Sequence, residues 1–154
     1  MQDRDDWTID SDGVEEALKQ LMPRSAGLIV REAFYGTSRF DDFLARTGLT
    51  RSVLSTQLDR LVQTEMLQRK SYKRDGERTR WEYRLTPRGA GMGAALIALI
   101  DWTQLWLPDH EVAIQPRHVA CGARVHVELR CEHGHSQIPI DEVAAVRGAS
   151  PAYG

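Results

Sequence analysis

Two short amphipathic segments meet at Thr47-Gly48-Leu49-Thr50, and this joint limits the possible folds more than any other feature of the chain. Ahead of it, Phe40, Phe43, Leu44 and Thr47 recur at the i, i+3, i+4, i+7 spacing of one helical face. Behind it, Leu54, Leu58 and Leu61 share a second such face. Gly48 suits the left-handed cap that ends a helix, and Thr50 suits the N-cap of the next. Two short helices joined through a glycine turn predict a helix-turn-helix. At about 100° per residue, Ser52, Ser55, Thr56, Asp59, Arg60 and Gln63 then point away from the apolar side of the second helix. That outward surface is short, polar and rich in hydrogen-bonding groups.

The flanking sequence supplies the remaining elements. Asp12 can cap a helix carrying Val14, Leu18 and Leu21 on one side. Pro23 suits the first turn of a second helix through Leu28, Val30, Ala33 and Phe34, which Gly36 ends. Ser38 and Asp41 have the spacing of a capping box for the first helix of the joint. Residues 67–72 look extended, and Trp81, Tyr83 and Leu85 alternate with Glu82 and Arg84 at the period of a strand, with Asp75-Gly76 between them as a hairpin turn. Thr86-Pro87 opens a long helix expected to reach residue 107. Its residues 92–100 are apolar or small on every side, which a small domain cannot cover alone, so a second subunit is expected there. In the tail, Val125, Val127 and Leu129 alternate, with a second extended stretch near Ile138, suggesting a small hairpin.

The fold class that follows is mainly α with a small β component. It comprises a winged helix-turn-helix, a long C-terminal dimerisation helix and a short β-hairpin tail. The expected parts are a flexible acidic N-terminus (residues 1–11), the winged domain with its dimerisation helix (residues 12–107) and a C-terminal extension (residues 108–154).

Charge separates these parts. The net charge of −2 argues against a nucleic-acid partner until its distribution is read. Residues 38–88 hold 12 basic and 7 acidic side chains, whereas both flanks are acidic. Much of the excess surrounds the Asp75-Gly76 turn, in Lys73, Arg74, Arg78 and Arg80, where a wing would meet phosphates. A protein-binding winged helix is the rival reading, and the basic tip stands against it. No glycine loop for phosphates and no nucleophile-base arrangement with sequence context is visible, so an enzyme is not expected. The longest uncharged stretch, residues 89–100, is far short of a bilayer span, and the acidic start has no secretory character. A cytoplasmic, nucleoid-associated protein is expected, with its two cysteines either reduced or holding metal.

Four stretches in order carry a family resemblance: Pro-Arg-Ser-Ala-Gly-Leu-Ile-Val-Arg-Glu-Ala-Phe-Tyr-Gly (23–36), Arg-Phe-Asp-Asp-Phe (39–43), Val-Leu-Ser-Thr-Gln-Leu (53–58) and Tyr-Arg-Leu-Thr-Pro-Arg-Gly (83–89). Together they resemble the HxlR family, a MarR-like group of bacterial transcription regulators. The resemblance implies a winged-helix homodimer held by its terminal helices, often a repressor and sometimes an activator. It departs from the family at Ser11-Asp12-Gly13, where many members carry a cysteine used by some as an oxidant sensor. Thiol sensing at that position is therefore not expected.

The candidate DNA-contacting residues are Arg39, Thr50, Arg51, Ser52, Ser55, Thr56, Arg60, Lys73, Arg74, Arg78 and Arg80. The expected ligand is an operator duplex arranged as an inverted repeat. Met92, Leu96, Leu99, Ile100, Trp102 and Trp106 are the candidate dimer contacts, and a small-molecule effector near the two tryptophans is a further possibility. Cys121, Cys131, His133 and His135 are ligand types that suit zinc, with His118 and His126 as rival donors, which would make a metal-responsive regulator. Their irregular spacing favours a plain hairpin with reduced thiols over a metal site.

Overall fold

A computed structural model describes residues 12–21, 23–72, 80–107, 109 and 111–145. In chain order its elements are α1 (Val14–Leu21), α2 (Arg24–Phe34), α3 (Phe40–Thr47), α4 (Arg51–Gln63), β1 (Leu67–Tyr72), β2 (Arg80–Leu85), α5 (Pro87–Gly91) and α6 (Gly93–Trp106), followed by one 3₁₀ turn at Ile140–Glu142. The described residues up to Leu96 form one compact unit and those from Ile97 onward a second.

The first unit is built around Ile29 and Val30 of α2, Phe43 of α3, Leu54, Leu58 and Leu61 of α4, Met66, Leu67 of β1 and Tyr83 of β2. Burial of these side chains is the main stabilising term, each contributing about 1.5–3 kcal/mol. The joint forms as its residues dictate: Gly48 sits at φ 66 and ψ 14, the left-handed cap, and the Thr50 hydroxyl accepts from Val53 N at 3.4 Å. Gly48 N–H bonds back to Leu44 O, closing α3. The hairpin is antiparallel, with Leu67 opposite Leu85, Arg69 opposite Tyr83 and Ser71 opposite Trp81.

Four local expectations are corrected. Pro23 precedes α2 as its N-cap, extended at ψ 152, and does not lie in the first turn. The Ser38–Asp41 capping box does not form: Arg39 is the N-cap without a side-chain bond, because the segment ahead of α3 is drawn against the wing. Tyr83 N donates to Ser38 O at 2.7 Å, and Arg39 pairs with Glu82 in a single antiparallel bridge. The long helix is also broken. Thr86 and Pro87 open α5 as expected, with Gly89 N donating to the Thr86 hydroxyl at 3.0 Å, but α5 stops at Gly91 and α6 begins at Gly93. Glycine costs a helix about 1 kcal/mol relative to alanine, and Gly89, Gly91 and Gly93 follow at every second position.

The fourth correction concerns the tail, whose hairpin is present only at its closed end. Cys131 N donates to His135 O and Ile138 N to Leu129 O around a turn at Gly134 (φ 90), with one bridge, Arg130 to Ser136. A second tight turn precedes it, closed by the bridge of Arg117 to Arg124 around Gly122 (φ 70). Among the described residues no strand develops from Val125 to Leu129; Val127 N instead donates to the Asp101 carboxylate of α6 at 3.3 Å. No described helix is long and apolar enough to cross a membrane.

Candidate nucleic-acid interface

Leu54, Leu58 and Leu61 fix the rotation of α4 by entering the core, which leaves Ser52, Ser55 and Thr56 exposed on its opposite side. Thr56 donates its hydroxyl proton to Ser52 O at 3.0 Å. Toward a base it therefore offers lone pairs and a methyl group rather than a donor. Thr50 is occupied as the N-cap. Arg51, in the first turn, reaches Asp41 at 3.3 Å and lies 5.7 Å from the centre of the Phe40 ring.

Arg60 is placed differently from its neighbours. Its guanidinium donates to the carbonyl of Lys19 in the last turn of α1, where it satisfies a helix-end acceptor and ties α4 to α1. Arg39 faces Glu82 at 3.9 Å. Arg39, Arg51 and Arg80 line a cleft of about 450 Å³ between the start of α3 and β2, together with Asp41, Trp81 and Tyr83. Lys73, Arg74 and Arg78 lie outside the described residues.

The sequence reading missed a cluster that joins the outward helix to the wing. Arg69 of β1 sits 3.8 Å from Asp59 of α4 and 4.4 Å above the Trp81 ring. Burial raises the pKa of Tyr83 above its ordinary value, the positive charge of Arg69 pulling it the other way. The signal was available: Arg69 and Trp81 fall on the strand face of Leu67, Tyr83 and Leu85, and Asp59 on the outward face of α4. Only the register of the hairpin brings them together.

The candidate dimer residues divide between two roles. Met92 and Leu96 are half-buried against the core of the first unit. Leu99, Trp102 and Trp106 are 59%, 53% and 64% exposed, as is Leu105 at 70%, and Ile100 is half-buried. Beside them, Asp101, Gln104, Leu105, Arg124 and His126 line an open cleft of about 450 Å³. Arg124 is held there by Asp101 at 2.8 Å and by Gln104.

The four candidate metal ligands are not assembled. Cys121 Sγ meets His118 Nδ1 at 3.1 Å, and Cys131 Sγ meets His135 Nδ1 at 3.2 Å, while His133 is exposed. Among the described residues no three His, Cys, Asp or Glu side chains gather as a metal site would need.

The model of the HxlR-like helix-turn-helix family matches residues 21–111. The chain is 35% identical over 140 residues to an uncharacterised HTH-type transcriptional regulator of Mycobacterium tuberculosis strain H37Rv, covering 90% of this chain and 87% of the relative. It is 34% identical to the uncharacterised HTH-type regulator YtfH of Escherichia coli K12 over 95 residues, 61% of this chain and 74% of that one. Its fold is similar to the crystal structure of PA1607, a candidate transcription factor, with a TM-score of 0.77 at 24% identity over 91% of this chain and 97% of the other. The joint of α3 and α4, the paired strands of the wing and the matched span agree: the chain belongs to the HxlR-like helix-turn-helix family.

Proposed function

We propose that this chain, a helix-turn-helix transcription regulator by family, grips duplex DNA as a homodimer and acts as a repressor by occupying an inverted-repeat operator. The observation that carries the reading is the exposed polar face of Ser52, Ser55 and Thr56, directly opposite the buried leucines of α4 and flanked by the arginine-lined cleft between α3 and β2. A major groove accepts a helix of this size, and hydroxyls match its base edges. Arg39, Arg51 and Arg80, with Lys73, Arg74 and Arg78 from the sequence between the two strands, meet backbone phosphates and supply grip without sequence information. Arg60 belongs to the α1 contact and is left out of the reading set.

The exposed row of Leu99, Trp102, Leu105 and Trp106 on α6 supports the dimer, since so much apolar surface is costly to leave in water. The open cleft at Arg124 and His126 beside that row is the place for an effector. Titration of wild type and of Ser52→Ala, Ser55→Ala, Arg51→Ala and Arg80→Ala against operator and random duplex at several salt concentrations tests the assignment. The serine variants weaken operator binding by about 1–3 kcal/mol for each base no longer read, with little change on random DNA. The arginine variants weaken both duplexes and lower the salt slope by about one unit for each phosphate no longer neutralised. Equal losses on both duplexes for every variant would refute the reading.

A further inference from the structure

The elements that carry the arginines also carry their neutralisers. Asp41 lies 3.3 Å from Arg51, Asp59 lies 3.8 Å from Arg69, and Glu82 spans Arg39 at 3.9 Å and Arg84 at 3.1 Å. The acids sit on α3, α4 and β2, the elements that present the basic side chains or pack beside them. Stability explains little of the two outer pairs: the side chains of Arg51 and Asp41 are 70% and 72% exposed and those of Arg69 and Asp59 42% and 56%, and ion pairs this open to water add at most about 1 kcal/mol to folding. Their effect on a ligand is larger. A phosphodiester offers an arginine the same charged oxygens as a carboxylate does, so the two compete for one guanidinium. A phosphate that displaces Asp41 or Asp59 also leaves a bare carboxylate close beside it, where like charges repel.

We propose that Asp41 and Asp59 set the specificity of DNA binding by competing with backbone phosphate for Arg51 and Arg69, so that phosphate contact alone holds the protein weakly. This rests on the DNA-binding reading above and extends it to Arg69, which Asp59 holds beside the outward face of α4. Base contacts from α4 then decide where the protein stays. Glu82 does the same for Arg39 and Arg84, but it is more buried than the other two and is left out of the test.

Asp41→Asn and Asp59→Asn keep the side-chain shape and remove the charge. Fluorescence anisotropy with a labelled duplex of mixed sequence measures binding at several salt concentrations, and thermal melting confirms that each variant is folded. Should the amide disturb α3 or α4, Asp41→Ser and Asp59→Ser replace the pair. Each variant binds the duplex about three- to ten-fold more tightly than wild type, the size expected when a carboxylate a few ångströms from a phosphate is neutralised. The salt dependence also steepens, because no freed carboxylate takes up a cation as the DNA sheds its own. Glu128→Gln, an exposed position in the second unit, makes the same change of net charge and leaves binding unaltered. Unchanged or weaker binding by the Asp41 and Asp59 variants overturns the proposal, as does equal tightening by Glu128→Gln. If wild type binds duplex DNA and the variants bind no better, only this inference falls. If neither wild type nor any variant binds, the DNA-binding reading falls with it.

Discussion

Gly89 faces the carbonyl oxygen of Met66 so closely that a methyl group built on it would lie 2.0 Å from that oxygen. The carbonyl cannot step aside, because Thr86 N donates to it at 3.2 Å and the Leu85 side chain stands 3.0 Å from the same point. Gly89→Ala therefore destabilises the first unit by about 3 kcal/mol, read as a lower denaturant midpoint. Gly91→Ala, where nothing lies within 4 Å, is neutral or stabilising by several tenths of a kcal/mol. Similar losses at both positions would show that the approach to Met66 is not the cause.

Thr50→Ala removes the acceptor for Val53 N at the start of α4. The expected loss is about 1 kcal/mol of stability. Because Arg51 and Ser52 occupy the same turn, operator affinity falls by more than the change in melting would suggest. A capping effect confined to stability would leave affinity untouched among the molecules that remain folded.

Leu99→Glu combined with Leu105→Glu places two charges on the exposed row of α6. Sedimentation of the double variant is expected to give monomers whose operator binding is abolished while the helix content stays. Leu96, which packs on the core, is the wrong residue for this experiment: a charge there unfolds the first unit. A soluble, dimeric double variant would sink the proposed interface.

Tyr83 gives the first unit a pH dependence. Burial holds its hydroxyl pKa above 10.0 in the folded chain, outweighing the opposing charge of Arg69. The unfolded chain ionises first, so above about pH 10 it binds fewer protons than the folded one and stability declines as pH rises. Denaturant titrations of wild type between about pH 8 and pH 11 show this decline, and Tyr83→Phe removes part of it. An identical profile for the variant would assign the decline to other groups.

The thiols of Cys121 and Cys131 each meet a single imidazole. Cys121→Ser and Cys131→Ser are expected to leave the melting curve in place, and a chelator to leave DNA binding unchanged. Loss of bound zinc together with loosening of residues 115–145 would restore the metal reading.

The sequence was most readable where local chemistry and core burial ask for the same thing. Gly48 and Thr50 leave few alternatives for the α3–α4 joint, and three leucines settle which side of α4 faces out. It was least readable where a distant partner decides. Ser38 is a good capping residue, yet its backbone is taken by Tyr83; Arg60 belongs to the outward polar set, yet a carbonyl of α1 claims it. The break between α5 and α6 lay between these cases: three spaced glycines weaken the helix, but the close approach of Gly89 to Met66 and of Gly93 to Phe34 emerges only in three dimensions. In the tail, alternation of Val125, Val127 and Leu129 suggested a strand that the carboxylate of Asp101 intercepts.

The bond from Tyr83 N to Ser38 O has a consequence for synthesis. The lead-in to α3 and the last side chain of the core both wait for β2, so the helix-turn-helix cannot be secured while the chain beyond it is still being made. A product truncated ahead of Arg80 lacks the strand that fixes α3 and the ring that closes over Phe43. Termination ahead of β2 therefore yields no partial regulator able to occupy sites that belong to the finished one.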